Sequence, residues 1–319
     1  MIPKDRFRPT IIEGKMDRRN FLKQVAVWSS GVLLAEPVFR ITPALLASET
    51  VSPVLTVGTG KEYTALLASV LKPLGGIAAF VKPGDQVVVK PNIGWDRSPE
   101  QAANTHPEIV RAVVELAIQA GARTVRVFDR TCNEERRCYA NSGIKSALDS
   151  IGNRKVQCNY IDKRKFIPVT IEKGKSINKW SFYKDALQAD CYINIPVAKH
   201  HSLARLTLGL KNTMGVIGGN RGKIHGNMGQ NLADLNTVIR ADLTIIDATR
   251  ILLRNGPQGG SMKDVKVLDT ILASPDPVAA DAYATTLFGL KPEQIDSTIA
   301  ASIMGLGEMD LTKMDIRTV

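Results

Sequence analysis

Residues 86–128, QVVVKPNIGWDRSPEQAANTHPEIVRAVVELAIQAGARTVRVF, decide the fold. The β-branched run 86–90 stops at Pro91, and His106-Pro107 opens a helix that continues through Ala120. Ile109, Val110, Val113, Val114, Ala117 and Ile118 recur at helical spacing and so share one face. Pro107 suits the first helical turn, where its missing N–H leaves no bond unmade. Gly121 ends the helix, and 124–128 form the next strand. Strand, helix and strand make a β-α-β unit, the connection that parallel strands need.

The same alternation extends in both directions. Further apolar runs lie at 156–161, 190–197, 242–247 and 265–273, and helices are expected at 141–150, 230–240 and 275–288. The pattern predicts a three-layer α/β sandwich with a mainly parallel sheet. No low-complexity linker or internal repeat interrupts the chain beyond residue 50, so 48–319 read as a single α/β domain. Two intimate lobes are the alternative for a unit of this length.

Residues 1–47 read differently. Arg18-Arg19 in DRRNFLK precede an apolar stretch, VAVWSSGVLLA (25–35), too short for the roughly 20 apolar residues of a membrane span. A charged start, a short apolar centre and a small-residue exit near Ala47 describe an export signal. The segment resembles the twin-arginine consensus, which implies the twin-arginine export machinery as a partner and an extracytoplasmic destination, periplasm or cell surface. Met16 offers an alternative start. An amphipathic helix of the folded domain and an uncleaved anchor are the other readings.

The chain has a net charge of +11, of which about +7 remains once the leader is set aside. The basic residues are scattered and aromatics make up 5% of the chain, so the dense basic stripe with stacking rings expected of a nucleic-acid binder is missing. A mildly cationic surface remains suited to an anionic small molecule. Cysteines lie at 132, 138, 158 and 191, with Cys132 and Cys138 the one local pair in a compartment that permits disulfides. No C-x-x-C occurs, so neither a ferredoxin-type iron–sulfur cluster nor a zinc ribbon is expected.

Ligands of open α/β sheets bind beyond the carboxyl ends of the strands. Lys90 to Gly94, Asp129-Arg130, Lys199-His200-His201 and Asp247 with Arg250 follow four of the expected strands. The densest chemistry lies in 194–226, NIPVAKHHSLARLTLGLKNTMGVIGGNRGKIHG, which holds three of the chain's four histidines together with Lys199, Lys211 and Asn212. Neutral imidazole binds metals and shuttles protons. The glycines let backbone approach a ligand closely, and Asn212 and Arg221 add donors for a carboxylate or phosphate. Adjacent His200 and His201 cannot face the same way from a strand.

The pieces VVVKPN (87–92), NTHPEIV (104–110), IPVAKHH (195–201), TLGLKNTMG (207–215) and DPVAADA (276–282) resemble the domain-of-unknown-function 362 family. The resemblance spans essentially all of 54–305. That family carries no settled reaction; some members are joined to ferredoxin-type modules, whose cysteines are missing here. A weaker similarity to the nickel-pincer lactate racemase family runs through the order His201, Lys211, His225. It implies an acid–base role for His201, a lysine tether for an organometallic cofactor at Lys211, and a metal ligand at His225. The family's other acid–base histidine follows an early strand, where this chain has Asp129-Arg130-Thr131.

The expectation is thus an enzyme whose loop 199–226 binds an anionic small molecule, a metal or an organometallic cofactor. His201 and Lys211 are the candidate catalytic residues, and His225 and His200 the candidate metal ligands. Lys90, Asn92, Lys199, Asn212, Gly215, Asp247 and Asp281 are candidate cofactor- or ligand-binding residues, with Asp281 equally readable as a structural cap. A binding protein without turnover and a redox-partner subunit are the alternatives.

Overall fold

The run Val87-Val88-Val89 is buried throughout because its strand is covered on both faces. In the computed structural model, which describes residues 52–319, Val87 and Val89 pack into one apolar cluster and Val88 into another. Successive side chains of a strand point to opposite faces, so a strand between two layers reads as continuously apolar. The expected leader, residues 1–47, lies outside the described residues.

The strands are β1 (Val54–Thr59), β2 (Gln86–Pro91), β3 (Thr124–Val127), β4 (Val156–Cys158), β5 (Phe166–Thr170) and β6 (Lys179–Tyr183). They continue as β7 (Cys191–Ile195), β8 (Val197–His201), β9 (Arg205–Thr207), β10 (Leu243–Leu252), β11 (Val265–Ser274) and β12 (Asp315–Thr318). A ten-stranded sheet runs β12-β1-β11-β10-β7-β2-β3-β4, with β8 beside β10 and β9 beside β8. Strands β4, β3, β2, β7 and β10 are mutually parallel; β11 and β9 run against their neighbours. The architecture is the three-layer α/β sandwich with a mainly parallel sheet.

One face of the sheet is covered by helices Tyr63–Leu71 and Pro107–Gln119, whose Leu67, Val70, Ile109 and Val113 meet Val87, Val125, Ile193 and Ile245. The other is covered by helix Met228–Val238, through Leu232 and Leu235, and by helix Pro277–Thr286, through Ala280 and Ala284. His106 caps the helix that Pro107 begins, its Nδ1 accepting from Glu108 N. The expected helix 141–150 is instead two, Glu135–Asn141 and Ile144–Asp149, divided at Gly143, whose φ of 72° is left-handed. The expected strand 190–197 divides at Pro196, which has no N–H to give the ladder.

That division positions the site. β10 pairs first with β7 (Leu243↔Ile193, Thr244↔Asn194) and farther on with β8 (Asp247↔Val197, Leu252↔Lys199). The chain that reads KHH is thereby carried beyond the carboxyl end of the parallel core. The β5–β6 hairpin holds the glycine-rich loop from outside: Gly218 N donates to Ser181 O (2.8 Å) and Trp180 Nε1 to Gly218 O (3.1 Å).

Candidate functional site

Lys90 is the last residue but one of β2, and Asp129 follows β3, the adjacent parallel strand. Their side chains meet 2.9 Å apart, 1% and 2% exposed. Lys90 Nζ also donates to Asn212 Oδ1 (2.6 Å), and Asn212 Nδ2 donates to Asn194 Oδ1 (2.8 Å) and Lys90 O (3.2 Å). Asn92 Nδ2 joins at Asn212 Oδ1 (3.3 Å), while Asn92 Oδ1 accepts from Lys199 Nζ (2.9 Å). A continuous polar chain therefore runs from Asp129 through Lys90, Asn212 and Asn92 to Lys199. Gly215 lies against it so closely that a Cβ there would overlap Asp129 Oδ1 and Lys90 Nζ. Burial lowers the Lys90 pKa, and Asp129 opposes that shift.

Beside this network opens a cleft of about 500 Å³. Lys199, Lys211, Arg130 and Arg221 line it, with His201 and His225. Asp129 is the one carboxylate among the lining residues, and it is already paired with Lys90. Arg221 donates to the carbonyls of Arg130 (2.8 Å) and Thr131 (2.8 Å), and Arg130 to those of Ile217 (3.0 Å) and Gly219 (3.1 Å). Both guanidiniums are thus held in place by neutral oxygens. Burial pushes Lys199 down to about 7. Burial, then the charges of Arg221 and Lys90, brings Lys211 to about 8. Lys211 Nζ touches Met214 Sδ at 3.4 Å and has no oxygen partner among the described residues.

His201 Nδ1 accepts from Leu203 N and Ala204 N, both at 3.1 Å, which puts the ring proton on Nε2. Burial first, then Lys211 and His225, lowers its pKa to about 3, so it is a neutral donor at physiological pH. Its ring stacks on His225 with centroids 6.1 Å apart. Thr207, 5% exposed on β9, lines the same cleft with an Oγ1 that has no partner among the described residues.

Nine of the residues singled out from sequence thus come together: Lys90, Asn92, Lys199, His201, Lys211, Asn212, Gly215, Arg221 and His225. Three serve elsewhere. His200, alternating with His201 along β8, is not a lining residue, and its Nδ1 accepts from Gly256 N (3.1 Å). Asp247 accepts from His106 N (2.7 Å) and Thr249 N (3.0 Å), fixing the start of helix Pro107–Gln119; burial raises it to about 7. Asp281 accepts from Gly209 N (2.6 Å) and Leu210 N (2.9 Å), the first amides of the helical turn Gly209–Asn212 that carries Lys211. Its burial raises the carboxyl to about 7 against the pull of those two amides. Asp281→Asn sets an amide NH₂ against one of these N–H groups and should cost about 1–3 kcal/mol. An unchanged urea midpoint would remove that role.

Trp95, Cys132, Thr207 and Met214 also line the cleft without having been singled out as binding residues. Cys132 is not joined to Cys138: the first is exposed, and the second is buried with its Sγ toward Gly94 O (3.7 Å). Among the described residues no three His, Cys, Asp or Glu side chains are placed to hold a metal ion. The three positions of the racemase resemblance do share the cleft. Asp129, which follows β3, is committed to Lys90 and to Ile93 N (2.6 Å).

Fold and cleft define a class of protein: a three-layer α/β sandwich with a lysine- and histidine-lined cleft beyond the carboxyl ends of its parallel strands. The chain belongs to the family described as Domain of unknown function (DUF362), whose model matches residues 87–286. It is 31% identical over 257 residues to a thylakoid-associated protein of Synechocystis sp., covering 76% of this chain and 75% of the relative. Among solved structures, the lactate racemase apoprotein from Thermoanaerobacterium thermosaccharolyticum matches with a TM-score of 0.43 and 12% identity. That match covers 76% of this chain and 58% of the racemase.

Proposed function

We propose that the protein is an enzyme that binds an anionic small molecule in the cleft and acts on it with the amines of Lys199 and Lys211. One observation carries this reading: four cationic side chains converge where the one lining carboxylate is already neutralised by Lys90. An anion would supply the missing countercharge, and the fixed guanidiniums would meet it without reorganising. Two amines poised at about 7 and about 8 are suited to exchanging protons at neutral pH, which favours turnover over simple capture.

Protonated amines hold the anion, so binding of oxalate, malate or phosphate should be tightest below pH 7. It should weaken as pH rises through about 7 and about 8, with proton uptake accompanying binding in that window. Calorimetry across this range, with glycerol as a neutral control, tests the reading. Absence of anion binding at pH 6, or affinity indifferent to pH, would sink it.

Residues 1–47 belong to the same proposal as the signal that carries the chain out of the cytoplasm by the twin-arginine route. Replacing both Arg18 and Arg19 by Lys should retain the chain in the cytoplasm, as fractionation would show. Undiminished export of that variant would refute the route.

A further inference from the structure

The cleft contains one amine unlike the others. Lys90 is tied to Asp129 and Asn212, and Lys199 donates to Asn92 Oδ1 and Ala103 O. Lys211 Nζ has only the weak acceptor Met214 Sδ, and its side chain opens into the cleft. A lysine that is partly desolvated beside other cations and bears no acceptor is disposed to act as a neutral nucleophile. The wall around it has two characters. Arg130, Arg221 and Lys199 supply fixed positive charge, whereas Trp95, Met214 and Pro257 supply an apolar side. The buried Thr207 Oγ1, unpartnered among the described residues, adds a hydroxyl for a polar oxygen of the ligand.

Building on the proposed anion-binding function, we infer that the substrate is an oxo acid and that Lys211 binds its carbonyl carbon covalently as an imine. The carboxylate lies against the guanidiniums and the Lys199 ammonium, and this orients the carbonyl toward Lys211. Neutral Lys211 Nζ adds to the carbonyl carbon, forming the C–N bond. The carbonyl oxygen takes up protons and leaves as water, so the amine and the oxo acid become an imine and one water. The Lys199 ammonium is the proton donor at hand for that departing oxygen and is re-protonated from the attacking nitrogen, whose two protons leave, in net, with the water; the neutral His201 Nε2–H steadies the oxygen by a hydrogen bond. No oxidant or further reactant is needed. The protonated imine withdraws electrons from the adjacent carbon, which is the chemistry required to remove a proton or a carboxyl group there.

The test is reductive trapping. The purified protein is treated with pyruvate or 2-oxoglutarate and borohydride near pH 8, digested and mapped by mass spectrometry. The expected result is one reduced adduct on Lys211, suppressed by excess oxalate and absent from Lys211→Arg, which keeps the charge but not the nucleophile. Adduct spread over surface lysines, or placed on Lys199, would overturn the inference. So would no adduct from a protein that oxalate still stabilises against heat, an outcome that leaves anion binding standing. Failure of both trapping and oxalate stabilisation would remove the two readings together. The mapping on the unaltered chain decides the matter even if the variant folds poorly.

Discussion

Asp129→Ala is expected to destabilise the fold by about 3–5 kcal/mol, because it strands the Lys90 ammonium in the interior. Lys90 is fully buried, and its other strong acceptor is the amide oxygen of Asn212. Removing both charges is a different matter: Lys90→Met with Asp129→Leu should cost well below the sum of the single changes, since neither charge is then left unpaired. The pH dependence separates this account from general damage. The folded-state Lys90 pKa lies below that of the unfolded chain, and losing Asp129 lowers it further. Between the folded and unfolded values the unfolded state binds more protons, so stability rises with pH there. The deficit of Asp129→Ala should accordingly shrink as pH rises from the variant's folded-state Lys90 pKa to the native one, and stay level above it. Urea midpoints showing a loss below about 1 kcal/mol, or a deficit that widens with pH, would reject the pair as a structural anchor.

Lys199→Met is the second large effect, and it falls on binding. A charge-assisted hydrogen bond contributes about 1.5–3 kcal/mol, so oxalate affinity at pH 6 should drop roughly ten- to hundredfold. The step in the pH profile near 7 should disappear while the step near 8, belonging to Lys211, persists. Calorimetry at several pH values reads both changes. Unaltered affinity, or loss of the upper step in place of the lower, would show that Lys199 does not face the anion.

The parallel core was legible because its signals are strong and local. Three valines in a row and a helix with a clean apolar stripe leave little else for 86–128 to form. The hairpin β5–β6 was not legible: FIPVT and KWSFY are mixed in character, and their pairing is visible only once Phe182 is seen packing against the sheet. Strands β1 and β12 likewise owe their places to partners distant in sequence, β1 to Ile271–Ala273 and β12 to β1.

In the site, the clustering of Lys199, His201, Lys211 and His225 followed from their closeness along the chain. Asp247 stood out as a strand-end carboxylate, and Asp281 was readable either as a ligand residue or as a structural cap; their hydrogen-bond partners place both as braces of neighbouring helix starts. Trp95 and Thr207 carried no signal, since a lone aromatic or hydroxyl in a loop or short strand is commonplace. Cys132 stood out for its nearness to Cys138, six positions away, yet the strand and helix around them give one thiol to the cleft and bury the other.

Strand β10 loses step with β11 between Ala248 and Arg250 and with β8 between Asp247 and Leu252. Its first half is locked to the parallel core, and its second half carries the β8–β9 ribbon with Lys199, His201 and Thr207. The irregularity thus works as a joint between a fixed frame and an adjustable arm. Inserting or deleting one residue at this joint would slide the arm by about 3.3 Å and exchange its faces. Two residues would restore the facing and alter only the reach. A length change at this one point would thus refit the cleft to a longer or shorter ligand without touching the parallel core.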